Sequence, residues 1–384
     1  MLTQREINIC KKGTAAEIRA IIASGELTFA ESDAQGRTAL MWAASHNSAD
    51  AAIALLDNGA DIGAVDMGGR TALSCAAGEN PDPGMVRGLV GRGAGIEDRD
   101  GNGATPLMYA AHLNPSASVL SALIDAGADV NARDYDLEED EDETVEQRDT
   151  ANLTGSGMTV LMHAVSSVTA SAEAVKALIS AGADVSARDN DGQPALAYAV
   201  SNSAVDGIVR LLIEAGADVN ASDDDEVGMT VLMHALMDCS NPAVVRTLVD
   251  AGADVNARDK EGYTPLMYCH NSEMLKTLLS AGADVRSVAD NGMTALMHAA
   301  RRPLASVVET LIAEGSDVNA RDRLGMTALM HAAEGSINPK VLTALMDAGA
   351  DVAAKDLGGK TAYAHANKRL KKSGADKLLK ITQN

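Results

Sequence analysis

The chain has 384 residues, 2% aromatic side chains and a formal net charge of −22, so its core must come from small aliphatic residues. So negative a surface argues against nucleic acid, which binds by releasing counterions to a basic protein face. No run of 18 apolar residues is present, so no membrane span is expected.

The opening Met1-Leu-Thr-Gln-Arg-Glu6 lacks the apolar stretch of a signal peptide. Thr3-Gln-Arg-Glu6 and Thr14-Ala-Ala-Glu17 are capping boxes, which predict short helices over about Gln4 to Lys12 and Ala15 to Ser24. With polar residues on its outer face, this pair (1–35) reads as the cap of a repeating array. Cys10, Cys75, Cys239 and Cys269 lie far apart without metal-ligand spacing, and free thiols suit a reducing, cytoplasmic setting.

From Gly36 onward one pattern recurs. Gly292-Met-Thr-Ala-Leu-Met-His-Ala-Ala300 returns letter for letter at Gly325–Ala333, and looser copies begin at Gly36, Gly69, Gly103, Gly157, Gly192, Gly228, Gly262 and Gly359. Most intervals are 33 to 36 residues, the mark of one supersecondary unit stacked many times. In each unit a turn ends in Gly, Thr caps a first helix, and Leu and Ala three apart give it an apolar face. Asn-Pro at 80–81, 114–115, 241–242 and 338–339 is expected to start the second helix, with Asn as cap and Pro at the first position. That helix stops at Ala-Gly-Ala-Asp, where Gly takes the left-handed conformation.

Helix, turn, helix and projecting loop at this period resemble the ankyrin repeat. Thr264-Pro-Leu-Met267 and Gly252-Ala-Asp-Val-Asn-Ala-Arg-Asp259 are similar to that family's Thr-Pro-Leu-His and Gly-Ala-Asp-Val-Asn signatures. The resemblance implies an all-α solenoid of about eleven helix pairs, with loops projecting as short β-hairpin fingers and first helices lining a concave groove. It also implies protein binding through that groove, without chemistry of its own. The near-identical copies point to recent internal duplication, which the resemblance connects with bacterial ankyrin proteins.

The departures matter as much. Met replaces the family's His in seven of ten units, and Met is expected only to pack, giving a softer stack. Pro194 replaces a capping Thr, and the Gly262 unit is about three residues short between its helices, so weak points are expected near Pro194 and His270. Between arrays at 36–133 and 157–358 lies an insertion, 134–156, whose residues 134–149 carry net charge −9 and are expected to be disordered. It fails as a calcium loop, because Glu139 and Val145 stand where Gly and a bidentate Glu are needed. The last repeat, 359–384, is a basic cap, with net charge +6 from residue 360 onward.

One constellation exceeds the needs of a fold. The residue after the Met position is Trp42, Cys75, Tyr109, His163, Tyr198, His234, Tyr268, His298, His331 and His365, so nine of ten are aromatic or His. Off the core face, these side chains would line the groove as a partner-binding strip. A bland alternative is a ladder in which each ring bonds its polar edge to a neighbour. Helices pack about 8–10 Å apart, too far for successive rings to share a metal ion. No nucleophile elbow, triad or phosphate loop is present, so no enzyme, metal or cofactor is expected.

The expected function is therefore a non-catalytic scaffold, monomeric, that binds a partner protein through this strip and through fingertips around Asp66, Asp189, Asp259 and Asp322. The acidic fingers favour a basic segment on that partner. The alternative is a self-associating array joined through the acidic insertion and the basic end.

Overall fold

The computed structural model describes residues 1–29, 31–134, 156–202, 206–224, 227–336 and 338–366. Among them all regular structure is helical. The chain divides into two compact units, Met1–Ala217 and Asp218–Asn384.

The first unit stacks six helix pairs. They are α1 (Gln4–Lys12) with α2 (Ala15–Ala23), α3 (Ala39–His46) with α4 (Ala49–Asp57), and α5 (Ala72–Glu79) with α6 (Pro83–Val90). Then follow α7 (Pro106–Leu113) with α8 (Ala117–Asp125), α9 (Val160–Ser166) with α10 (Ala172–Ser180), and α11 (Ala195–Ser201) with α12 (Asp206–Glu214). The second unit holds α13 (Val231–Asp238) with α14 (Pro242–Asp250), α15 (Pro265–Tyr268) with α16 (Ser272–Ser280), and α17 (Ala295–Ala300) with α18 (Ala305–Ala313). It ends with α19 (Ala328–Gly335), α20 (Pro339–Asp347) and α21 (Ala362–His365). Within each unit first helices pack on first helices and second on second. Of the eleven expected pairs, the partner of α21 falls at 367–384, outside the described residues.

The repeated Thr closes the start of most first helices. Thr38, Thr105, Thr159 and Thr230 accept the N–H of the Met three residues on, closing the helix start. The Met does more than pack. Its sulfur lies 3.3–3.5 Å from the Thr N–H in these four units and so returns the cap as a weak acceptor. The next Leu is fully buried, as at Leu40, Leu73 and Leu107, each contributing about 1.5–3 kcal/mol of apolar burial. Small Ala residues beside it let neighbouring helices close up.

Carbonyl-to-amide stitches bind successive pairs. Asn47, Asn80 and Asn114 donate from their side chains to carbonyls of the preceding unit, Asn114 to Ala77 at 2.7 Å and Asn80 at 2.8 Å. Two of the four Asn-Pro expectations change accordingly. Asn80 and Asn114 close the first helix, while Asp82 caps α6 and Ser116 precedes α8. The amide is drawn away by buried carbonyls that need a donor. Asn241 and Asn338 do cap α14 and α20, with Pro at the first helical position. At the other end, Asn131, Asn220, Asn256 and Asn319 each tie a Gly carbonyl and an Asp N–H of the following repeat.

Pro194 offers no side-chain cap to α11, and α15 is a single turn in which the Thr264 hydroxyl is buried without a partner. Pro194 has φ −85° and ψ 163°, the same values as Thr105 at the start of α7. Pro194→Thr therefore requires no backbone change and should gain about 0.5–2 kcal/mol. A urea midpoint that does not rise would show that the cap is not what this turn lacks.

Candidate binding surface

The loops between repeats are turns of the form Asp-x-x-Gly. The hairpin fingers expected from the sequence are reduced, among the described residues, to turns pinned by isolated antiparallel bridges such as Ser32–Thr38 and Val288–Thr294. Within each unit most fingers rest on a neighbour through backbone. Met67 N–H donates to the Gln35 carbonyl, Gly101 to Gly68, Arg323 to Asn291 and Leu357 to Leu324, at 2.9–3.0 Å. This stacking explains the repeated Gly. Gly69 has φ +81°, and a Cβ there would sit 2.7 Å from the Gly101 nitrogen.

The aspartate at the base of each finger organises it. One oxygen accepts backbone N–H groups two and four residues on: Gly68 and Arg70 for Asp66, Asn102 and Ala104 for Asp100, Asp191 and Gln193 for Asp189, Glu261 and Tyr263 for Asp259, and Leu324 and Met326 for Asp322. The other oxygen takes the ring of the first helix. Tyr109 donates to Asp100 at 2.6 Å, Tyr198 to Asp189 at 2.5 Å and Tyr268 to Asp259 at 2.6 Å. Trp42 Nε1 donates to Asp33 at 3.0 Å. The Nε2 atoms of His163, His234, His331 and His365 lie 3.0, 2.6, 2.8 and 2.7 Å from Asp134, Asp223, Asp322 and Asp356. An ionised carboxylate only accepts, so each Nε2 carries the proton. Burial, followed by the bonded carboxylate, raises the Tyr109, Tyr198 and Tyr268 hydroxyls well above their usual pKa, keeping them as donors.

Thus the strip residues and the aspartates form one device. Tyr109, His163 and His331 are buried, and Trp42, Tyr198, His234, Tyr268 and His298 keep a partly exposed edge. Each bonded ring holds the finger of its own repeat. Asp66, Asp189 and Asp259 are buried and Asp322 nearly so, at the finger's base with carboxylates turned inward, while the two residues after each Asp form the tip. Sequence reasoning did not connect the two sets. The signal was a separation of nine residues in six of the eight bonded pairs, as in Asp33/Trp42, Asp100/Tyr109, Asp189/Tyr198 and Asp322/His331, against 11 for Asp223/His234 and 29 for Asp134/His163.

Two repeats depart from the device. Cys75 stands in place of a ring, and the Arg70 guanidinium takes the free Asp66 oxygen at 2.8–2.9 Å. At the other, Ala289 replaces the aspartate nine residues before His298, whose Nε2 is buried without a partner. Burial, with Arg301 and Arg302 nearby, pushes His298 down to about 4. The Tyr263 ring packs edge-on against it, with centroids 5.0 Å apart.

Asp134 is in register with the other aspartates. Its carboxylate accepts from Met158 N–H at 2.8 Å, and its pair with His163 leaves 2% of the imidazole and none of the carboxylate exposed. The insertion therefore enters at a fingertip, between Asp134 and Gly157. The rest of the acidic stretch, 135–155, lies outside the described residues, as does most of the basic end.

Beyond the fingers, most repeats present a second carboxylate to solvent, while Gly95 takes that place in the repeat of α5 and α6. Asp61, Asp129, Asp184, Asp218, Asp254, Asp284, Asp317 and Asp351 are all exposed, and each accepts a backbone N–H two residues on. A groove of about 430 Å³ opens beside Tyr198, lined by His112, Leu113, Met158 and Val168. Among the described residues no cluster of His, Cys, Asp and Glu could hold a metal ion, and no helix is long and apolar enough to cross a membrane.

Stacked helix pairs with finger turns locked to the first helix define a repeat array that presents a surface. The family described as ankyrin repeats (3 copies) matches residues 7–66, 63–134, 141–223, 207–289 and 269–356. The chain belongs to the ankyrin repeat family, whose repeats are generally protein–protein interaction modules. No curated protein matches it.

Proposed function

We propose that the chain is a non-catalytic scaffold that binds a partner protein across the face formed by its first helices and fingers. Trp42, Tyr109, His163 and Tyr198 in the first unit, and His234, Tyr268, His298 and His331 in the second, form the floor where helix meets finger, and the turns around Asp66, Asp189, Asp259 and Asp322 project the residues that touch the partner. The observation that carries the partner's chemistry is the exposed carboxylate that recurs in most repeats, at Asp61, Asp129 and Asp184 in the first unit and at Asp218, Asp254, Asp284, Asp317 and Asp351 in the second. Such a series of negative charges within each unit favours a basic segment and steers its approach.

The test is affinity capture from the source organism's lysate. Asp254→Asn/Asp284→Asn/Asp317→Asn/Asp351→Asn keeps each side-chain acceptor for the turn but removes four charges. A partner held by the wild type should be lost by this variant; equal capture would refute the basic-segment reading. Tyr109→Ala/His163→Ala/Tyr198→Ala, checked for folding, should also lose the partner, because the fingers it contacts are no longer held.

A further inference from the structure

Most fingertips carry polar residues or glycine: Ala34-Gln35, Gly101-Asn102, Asn190-Asp191, Lys260-Glu261 and Asp290-Asn291, while the first unit has one exposed apolar tip residue, Met67, at 81%. The last two fingers of the second unit differ. Leu324 is 65% exposed and Leu357 80%, on adjacent tips joined by the Leu357 N–H to Leu324 carbonyl bond. Neither leucine contributes burial to the fold, so their exposure is a cost without a structural return. Arg323, Lys355 and Lys360 surround them in exposed positions. The finger carboxylates Asp322 and Asp356 bond inward to His331, His365 and backbone N–H groups, and the exposed Arg321, Arg323, Lys355 and Lys360 outnumber their charges. A chain of net charge −22 thus carries a local face that is both basic and apolar.

The chain also contains the complement. Residues 135–149 read Tyr-Asp-Leu-Glu-Glu-Asp-Glu-Asp-Glu-Thr-Val-Glu-Gln-Arg-Asp, nine carboxylates and one Arg, with Leu137 and Val145 among them. This segment starts at a fingertip, directly after Asp134. We propose that the Leu324/Leu357 face docks the 135–149 segment of a second copy of this chain. The contact is small and charged, which makes it a transient one. Its salt dependence has two parts. Whole chains repel one another at very low salt, near 0.1 M the Debye length of about 10 Å screens that repulsion, and near 1 M it falls to about 3 Å and the contact itself weakens. Association should therefore peak at intermediate salt.

The experiment is light-scattering mass of the full chain against concentration at these salts. It is repeated with Leu324→Ser/Leu357→Ser and with a variant in which every Asp and Glu of 136–149 becomes Asn or Gln. Both sets of changes are on exposed tips or in the insertion, and circular dichroism checks that folding is kept. Wild type should dimerise with concentration near 0.1 M salt, and each variant alone should not. An equal mixture of the two variants should dimerise again, because one supplies the segment and the other the face. A wild type that stays monomeric, or variants that associate as it does, would overturn the proposal. So would a monomeric wild type whose neutralised variant binds a 134–149 peptide, since the face would then be filled by its own chain.

Discussion

Asp134→Ala should destabilise the first unit more than any other single truncation of a finger. The Asp134–His163 pair is fully buried, and the carboxylate also holds Met158 N–H. Removing the carboxylate leaves the His163 Nε2–H and the Met158 N–H buried without their acceptor, at a cost of about 1–3 kcal/mol each. His163→Tyr should retain most of the stability, because a Tyr hydroxyl makes the same bond at Tyr109 and Tyr198 in the flanking repeats. Urea unfolding followed by circular dichroism reads both. Array proteins unfold in parts, so the comparison belongs to the transition of the first unit. If His163→Tyr lost as much as Asp134→Ala, the rings would not be interchangeable donors, and the account of the strip would fail.

Ala289→Asp should do the reverse and stabilise the second unit. In the wild type His298 Nε2 is buried without a hydrogen-bond partner, a defect of about 1–3 kcal/mol. An aspartate at 289 would supply the acceptor found in the neighbouring repeats. The pH dependence separates this from a nonspecific gain. His298 is depressed from 6.5 to about 4, because burial and the charges of Arg301 and Arg302 disfavour the imidazolium. A group depressed in the folded state contributes stability that is complete above its unfolded pKa. For His298 that contribution is lost as pH falls from about 6.5 toward about 4. The loss amounts to about 3 kcal/mol, from 1.36 kcal/mol per pKa unit. A carboxylate at 289 stabilises the imidazolium and raises that pKa, so the variant should lose less stability over the same window. His331 is also depressed, chiefly by burial, and titrates in the same direction in both proteins, so it cancels in the comparison. Parallel pH profiles for wild type and variant would contradict the assignment.

Much of the fold was legible because the repeat period, the Thr caps and the Gly stops each act within a few residues. The two capping boxes placed α1 and α2 to within a residue, and Pro194 and the short Gly262 unit mark real gaps in capping. What was not legible depends on contacts between repeats. Asn80 and Asn114 have the sequence of helix caps, yet carbonyls of the previous unit claim their amides. Met41 and its counterparts read as purely apolar, yet their sulfurs meet the Thr N–H across one helical turn. The candidate surface was half legible. Composition singled out the rings, but their bond to an aspartate, in most repeats nine residues earlier, becomes visible only once the turn folds back on the helix. The same fold turns Asp66, Asp189 and Asp259 inward, and leaves presentation to the tip residues and the exposed Asp61-to-Asp351 row.

The most direct test of this account is amide hydrogen exchange at Asn102 and Ala104 in wild type and Tyr109→Phe. Both N–H groups bond to Asp100, whose other oxygen is held only by the Tyr109 hydroxyl. If the ring secures the finger, deleting that hydroxyl removes a charged hydrogen bond of about 1.5–3 kcal/mol. Exchange at both amides should then accelerate by about tenfold or more while the interior of α7 keeps its protection. Unchanged rates at Asn102 and Ala104 would mean that the finger stands without the ring, and would contradict the central claim.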